Sequence, residues 1–163
     1  MRCLKVDLFL CKMNLDIKKT LYSLCENAIE QRVEHAKEAL NLAQESANDE
    51  TKSSAGDKHE TGRAMAQLEA EKANAQLNQA MNLKHQLEKL DASIQTEKVV
   101  IGSLVICKIA RFLLTVSAGK LEHEGQICFA ISADSPIGKL LLGKSEGDSI
   151  TFNGVTHEII AIT

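Results

Sequence analysis

Between Asp16 and Ala47 the apolar positions recur in steps of three and four: Leu21, Cys25, Ile29, Val33, Ala36, Leu40, Ala43 and Ala47. That spacing draws a single stripe along a helix, and the run contains neither Pro nor Gly. A second stripe, Met65, Leu68, Ala73, Leu77, Ala80, Leu83, Leu87, Leu90 and Ile94, predicts a matching helix from about Lys58 to Ser93. Good helix formers (Ala, Leu, Glu, Gln, Lys) fill the remaining positions of both segments. Each stripe is too narrow to close a core alone. The two are therefore expected to bury each other, and a connection of about ten residues makes the pair antiparallel. At about 1.5 Å per residue, helices of about 30 residues are about 45 Å long, with "NDETKSSAGD" as the turn at the far end.

After Thr96 the texture changes to β-branched runs: "KVVIGSLVICK", "RFLLTVSAG", "QICFAISA", "DSITF" and "THEIIAI". The last two are joined by Asn153-Gly154, a strong two-residue hairpin signal. Between the third and fourth runs, "SPIGKLLLG" reads as a short helix with Ser135 as N-cap, Pro136 at the first helical position and Gly143 as the stop. The chain is thus an α+β protein in three parts. Residues 1–14 are expected as a poorly ordered extension, residues 15–95 as an antiparallel coiled coil with its tip at about 48–60, and residues 98–163 as a small β-rich domain. The core of that domain is expected to centre on Phe112, Phe129 and Phe152.

Composition narrows the functional classes. The chain has 163 residues, a formal net charge of −3, no Trp and one Tyr. An acidic balance argues against broad electrostatic binding to nucleic acid and against direct sequence-specific DNA binding. Five scattered cysteines (Cys3, Cys11, Cys25, Cys107, Cys128), none in a C-x-x-C pair, read as reduced thiols of a cytoplasmic protein, several of them packed in a core. No stretch approaches the roughly 20 apolar residues of a membrane span. Asp7 interrupts the mildly apolar start, which argues against a signal peptide. A Gly-x-Ser-x-Gly elbow, a P-loop and a zinc-spaced Cys/His set are all missing from the sequence, so no catalytic machinery of the chain's own is expected. Lys18, Lys19, Arg32 and Lys37 interleave with Glu26, Glu30, Glu34 and Glu38 and read as a solvated, salt-bridged helix face.

One pair of acids stands out. Asp57 and Glu60, in "SSAGDKHETGR", lie three apart where the second helix begins. A spacing of three places both on one helix face. The same pattern is a capping box, in which each side chain serves the other residue's backbone N–H. A metal-holding role and a capping role compete for the same oxygens, and spacing alone favours the cap.

The two-helix coil, the domain opening "IGSLV" and above all the run "SPIGKLLLGKSEGD" resemble the Gre family of bacterial transcript cleavage factors. That resemblance is strong over 98–163 and mostly architectural over the coil. It implies an FKBP-like C-terminal domain, without implying prolyl isomerase activity. It also implies that RNA polymerase is the partner and that the coil enters the polymerase secondary channel. "GDKHETG" is similar to the Gly-Asp-x-x-Glu tip of the family, whose carboxylates help to hold a polymerase Mg²⁺ and its water beside the backtracked RNA 3′ end. By that resemblance Asp57 and Glu60 are the catalytic and metal-holding residues, acting only in the complex, with no cofactor held by the isolated chain. The docking segment is Ser135, Pro136, Ile137, Gly138, Lys139, Leu140, Leu141, Gly143 and Lys144. The chain is then an accessory factor rather than an enzyme. Where family tips continue Asn-Ala-Glu-Tyr, this chain reads Thr61-Gly62-Arg63-Ala64. A channel binder that modulates polymerase without cleavage, and a structural adaptor for another protein, therefore stand beside the cleavage reading.

Overall fold

The computed structural model of the chain describes residues 3–52 and 58–163, with side chains over 14–48 and 61–163. Two long helices, α1 (Cys3–Lys52) and α2 (Lys58–Glu88), precede β1 (Leu104–Cys107), β2 (Arg111–Thr115), β3 (Gly119–His123), β4 (Gln126–Ser132), α3 (Pro136–Leu141), β5 (Ser149–Phe152) and β6 (Val155–Ile162). The fold is α+β, as the sequence pattern predicts. Helix α1 begins at Cys3, well before the expected start near Asp16, because the stretch from Cys3 onward holds no Pro or Gly to stop it. The chain divides into two compact units, one of Met1–Asn27 with Gln86–Thr163, the other of Ala28–His85.

In the Ala28–His85 unit the helices run antiparallel. Arg32 shares a groove with Leu83, and further along Ser46 shares one with Glu69. Ile29, Ala36 and Ala43 on α1 and Ala66, Ala73 and Ala80 on α2 are buried at intervals of seven, with Val33 beside them. The seam on α2 is thus alanine. Met65 and Leu68, expected in the stripe, are 62% and 61% exposed. Small residues repeating every seven form the inward stripe of α2, and the neighbouring Met65 and Leu68 face out. The pairs Lys84–Glu30 (2.5 Å) and Lys37–Glu34 (2.8 Å) are exposed and are worth about 0–1 kcal/mol each.

In the other unit six strands form one sheet in the order β3-β4-β2-β1-β6-β5. Neighbours are antiparallel except β2 and β4, which run parallel with Phe112 opposite Phe129. One face carries Val105, Cys107, Phe112, Leu114, Ile150 and Ile159, packed with Ile137 and Leu141 of α3. The other carries Leu104, Leu113, Leu121, Cys128 and Ala130, also buried. On that face α1 supplies Cys25, whose sulfur lies 3.9 Å from Thr115 Oγ1. Tyr22 O–H donates to the Gly102 carbonyl at 3.2 Å. Burial pushes the thiols of Cys128 and Cys107 up, to about 12 and about 11, so both are inert packing groups near neutral pH.

Three further differences from the expected pattern have physical causes. Strand β3 does not stand out in the sequence because only Leu121 of its five residues is a large apolar one. It is an edge strand held by a two-residue turn, with Glu124 (φ 50°) and Gly125 (φ 73°) both left-handed and His123 opposite Gln126. The Asn153-Gly154 turn has the same form. Phe129 is 40% exposed rather than central. Its neighbour across the edge strand is Lys120, which leaves the ring's outer side open, and only its other side reaches Phe112, at 6.2 Å between centroids. Phe112 is buried as expected and Phe152 packs partly buried against the same cluster.

Lys18 is the third difference. It does not belong to a solvated face but is fully buried, with its ammonium donating to the Ile94 carbonyl. Burial pulls its pKa down to about 8 from the ordinary 10.5, with Asp91 opposing the shift. Folding therefore releases a proton from Lys18 between those values. Its contribution to stability is complete above pH 10.5 and is lost as pH falls through about 8. Denaturation of wild type and Lys18→Met compared from about pH 7 to about pH 10 is expected to show the wild type gaining on the variant as pH rises. Parallel profiles would mean that the ammonium is not desolvated.

Candidate functional site

The segment Ser135–Lys144 is built from local rules. Ser135 has an extended backbone (φ −63°, ψ 152°) and caps α3, its hydroxyl accepting from Gly138 N at 3.1 Å and donating to the Ser132 carbonyl at 2.7 Å. Pro136 occupies the first helical turn, where no N–H is needed. Ile137 and Leu141 point into the core. Gly138 is required by close approach, since a Cβ there would lie 2.2 Å from the Ser132 carbonyl oxygen and 2.8 Å from Ser135 Oγ. After the helix, Gly143 adopts φ 75°. The chain is then clipped to Val99 through Gly143 N to Val99 O and Val99 N to Lys144 O, each 2.8 Å. Further on, Asp148 accepts from Ser145 N at 2.8 Å and Gly147 takes φ 86°.

Most residues of "SPIGKLLLGKSEGD" thus have a folding role. Lys139, Leu140 and Leu142 are left exposed, with Lys144 half-buried. Leu140 and Leu142 retain 41% and 38% of their surface. A partner can reach these positions directly. The expected docking residues Ile137, Gly138 and Leu141 are buried and can act only by holding the others in place. The "IGSLV" run is likewise structural. Gly102 sits at φ 100° and accepts the Tyr22 bond, while buried Ser103 accepts from Val100 N at 3.1 Å.

Asp57 lies outside the described residues. Glu60 falls within α2 by its backbone, but its side chain also lies outside them. Thr61 and Arg63 are exposed and Gly62 is half-buried, all in the first turns of α2. Arg63 lines a shallow groove with Gln44, Asn48 and Gln67. Among the described residues no group of three His, Cys, Asp or Glu could hold a metal ion, and no helix is long and apolar enough to cross a membrane. Sequence reasoning missed the Lys18 and Tyr22 ties. Tyr22 carried a signal, a lone aromatic beside Leu21 on the stripe, whereas Lys18 carried none.

No family model matches the chain, and no curated protein matches it. Among solved structures it is similar to one described as the transcription factor Gfh1, at 21% identity and a TM-score of 0.37, over 85% of this chain and 93% of that one.

The cap and the close approach make a direct prediction. Gly138→Ala forces a methyl against backbone oxygen and is expected to cost roughly 2 kcal/mol or more, whereas Ser135→Ala loses one cap and costs about 1 kcal/mol. Chemical denaturation of both variants measures the order, and an equal or inverted order would contradict it.

Proposed function

We propose that the chain is a Gre-like factor that binds RNA polymerase and regulates elongation through the secondary channel, by stimulating cleavage of backtracked RNA. The observation that carries this reading is the run "SPIGKLLLGKSEGD". It resembles the family signature, and its folding residues leave Lys139, Leu140 and Leu142 outward as a compact basic and apolar docking edge. In this reading Asp57 and Glu60 supply carboxylate oxygens, the donors a hard cation such as Mg²⁺ prefers. The polymerase supplies the rest of the site, so hydrolysis belongs to the polymerase and this chain is its accessory. The RNA 3′ end is met only within that complex. A cytoplasmic, bacterial setting follows from the same reading.

Arg63 favours a second reading. An exposed base stands where family tips carry an acid, and a cation near the carboxylates opposes metal binding. In that version the factor occupies the channel and modulates the enzyme without cleavage.

Backtracked elongation complexes given this protein and Mg²⁺ are expected to release short 3′ RNA fragments. Asp57→Ala with Glu60→Ala is expected to reduce release by about a hundredfold or more while leaving polymerase affinity within about twofold. Leu140→Glu with Lys139→Glu is expected to weaken binding itself by about tenfold or more. Binding without fragments would replace cleavage by modulation. A pull-down that recovers no polymerase subunit would defeat both and leave a structural adaptor.

A further inference from the structure

Strand β3 ends the sheet, so one side of its backbone pairs with β4 and the other is left open. The turn Glu124-Gly125, both residues left-handed, closes on the pair His123 and Gln126, and in a two-residue hairpin that closing pair is hydrogen-bonded. Alternation along an antiparallel ladder then gives the backbone groups of Gly119, Leu121 and His123 to β4 and turns those of Lys120 and Glu122 outward. Among the described residues no backbone hydrogen bond from outside the sheet reaches them. Open N–H and C=O groups in a row are a template for another strand. Charged side chains on an edge discourage such pairing when they meet their like, but here the two charges are opposite. Lys120 and Glu122 stand on one face, 3.6 Å apart, with side chains 55% and 62% exposed, on either side of the buried Leu121.

We propose that β3 is a self-association edge and that its occupant is β3 of a second copy of this chain, antiparallel and centred on Leu121. The backbone alone admits two-fold antiparallel pairings centred on Lys120, Leu121 or Glu122, because each sets outward groups against outward groups. A slip of one residue breaks that match and also turns the side chains to the wrong face. Charge then selects among the three. Centring on Lys120 sets Lys against Lys, centring on Glu122 sets Glu against Glu, and a parallel in-register pairing does both. Centring on Leu121 instead places Lys120 opposite Glu122 of the second copy, and the two-fold axis repeats the contact, as an isologous interface demands. The same two pairs exchange the backbone bonds, so charge and backbone agree on one register. On β4 the neighbours of Lys120 and Glu122 are Phe129 and Ile127, 40% and 43% exposed. These apolar side chains keep part of the water from each ion pair, which strengthens it. The product is one sheet continuous across two copies, and the edge does not depend on the polymerase reading.

Sedimentation equilibrium of the full chain from about 1 to about 200 µM is expected to show a reversible monomer–dimer equilibrium. Amide exchange at Lys120 and Glu122 should slow as concentration rises, while Leu121, bonded to β4 in either state, stays slow throughout. Lys120→Glu alone and Glu122→Lys alone each set like charges opposite and are expected to weaken the dimer by about tenfold or more. Mixed one to one, the two variants should dimerise again, since copies with two acids then face copies with two bases, which misfolded proteins could not do. A wild type that stays monomeric over the whole range overturns the proposal. So does a dimer that ignores both charge reversals or leaves the Lys120 and Glu122 amides unprotected, and so does a mixture that associates no better than either variant alone.

Discussion

A six-stranded sheet with two apolar faces must be covered twice. Here the two covers come from opposite ends of the sequence. Helix α3, only six residues long, closes one face with Ile137 and Leu141. The other face, with Leu104, Leu113, Leu121, Cys128 and Ala130, meets the part of α1 that carries Tyr22 and Cys25. Burying a large apolar side chain contributes about 1.5–3 kcal/mol, so a sheet left open on that side would forgo a large share of a small domain's stability. The same constraint explains why Lys18 is buried. The chain that brings Leu21, Tyr22 and Cys25 onto the sheet carries Lys18 one turn earlier. There its ammonium is satisfied by the Ile94 carbonyl, at a desolvation cost visible in its lowered pKa.

The signature run has a related division of labour. Ser135, Pro136, Gly138, Gly143, Gly147 and Asp148 each meet a backbone demand: a cap, a first turn without an N–H, a close approach, two left-handed turns and a loop clasp. Residue types forced by the backbone say little about a partner, because any protein with this turn would need them. Lys139, Leu140 and Leu142 are not so forced and remain at the surface. The functional weight of the resemblance therefore rests on these few exposed residues more than on the glycines that make the run recognisable.

How much was legible follows from how local each cause is. Helix periodicity, the Ser135-Pro136 cap, the Gly143 stop and the Asn153-Gly154 hairpin are set within a few residues, and each appears where its local chemistry puts it. Strand β3 is local too, but it is an edge with one large inward side chain, and a single Leu121 does not make a period. Which of Met65, Ala66, Leu68 and Ala73 faces the seam depends on how near the other helix lies. Hydrophobicity alone ranks Met and Leu first, yet Ala66 and Ala73 are the buried residues and Met65 and Leu68 the exposed ones. Phe129 and Lys18 depend on contacts across the whole sheet or over 76 positions of sequence, which no window of the sequence contains. The tip acids were the sharpest chemical suggestion in the sequence, yet Asp57 and the Glu60 side chain fall outside the described residues, so their chemistry rests on spacing and resemblance.

The alanine seam ties these threads together. Small residues at intervals of seven let two helices approach closely, but they bury little area per residue, and the larger apolar side chains are displaced to the flanks. A helix pair of this kind gains backbone proximity at the expense of its own hydrophobic cover. It is left with Leu42, Met65 and Leu68 in contact with water. Substituting Leu for Ala73 would add apolar area yet force the axes apart, because interhelical distance is set by the side chains at the contact. The exposed flank is therefore a consequence of the narrow seam rather than an independent feature. Any partner that uses that flank exploits a surface that the packing of the pair has already produced.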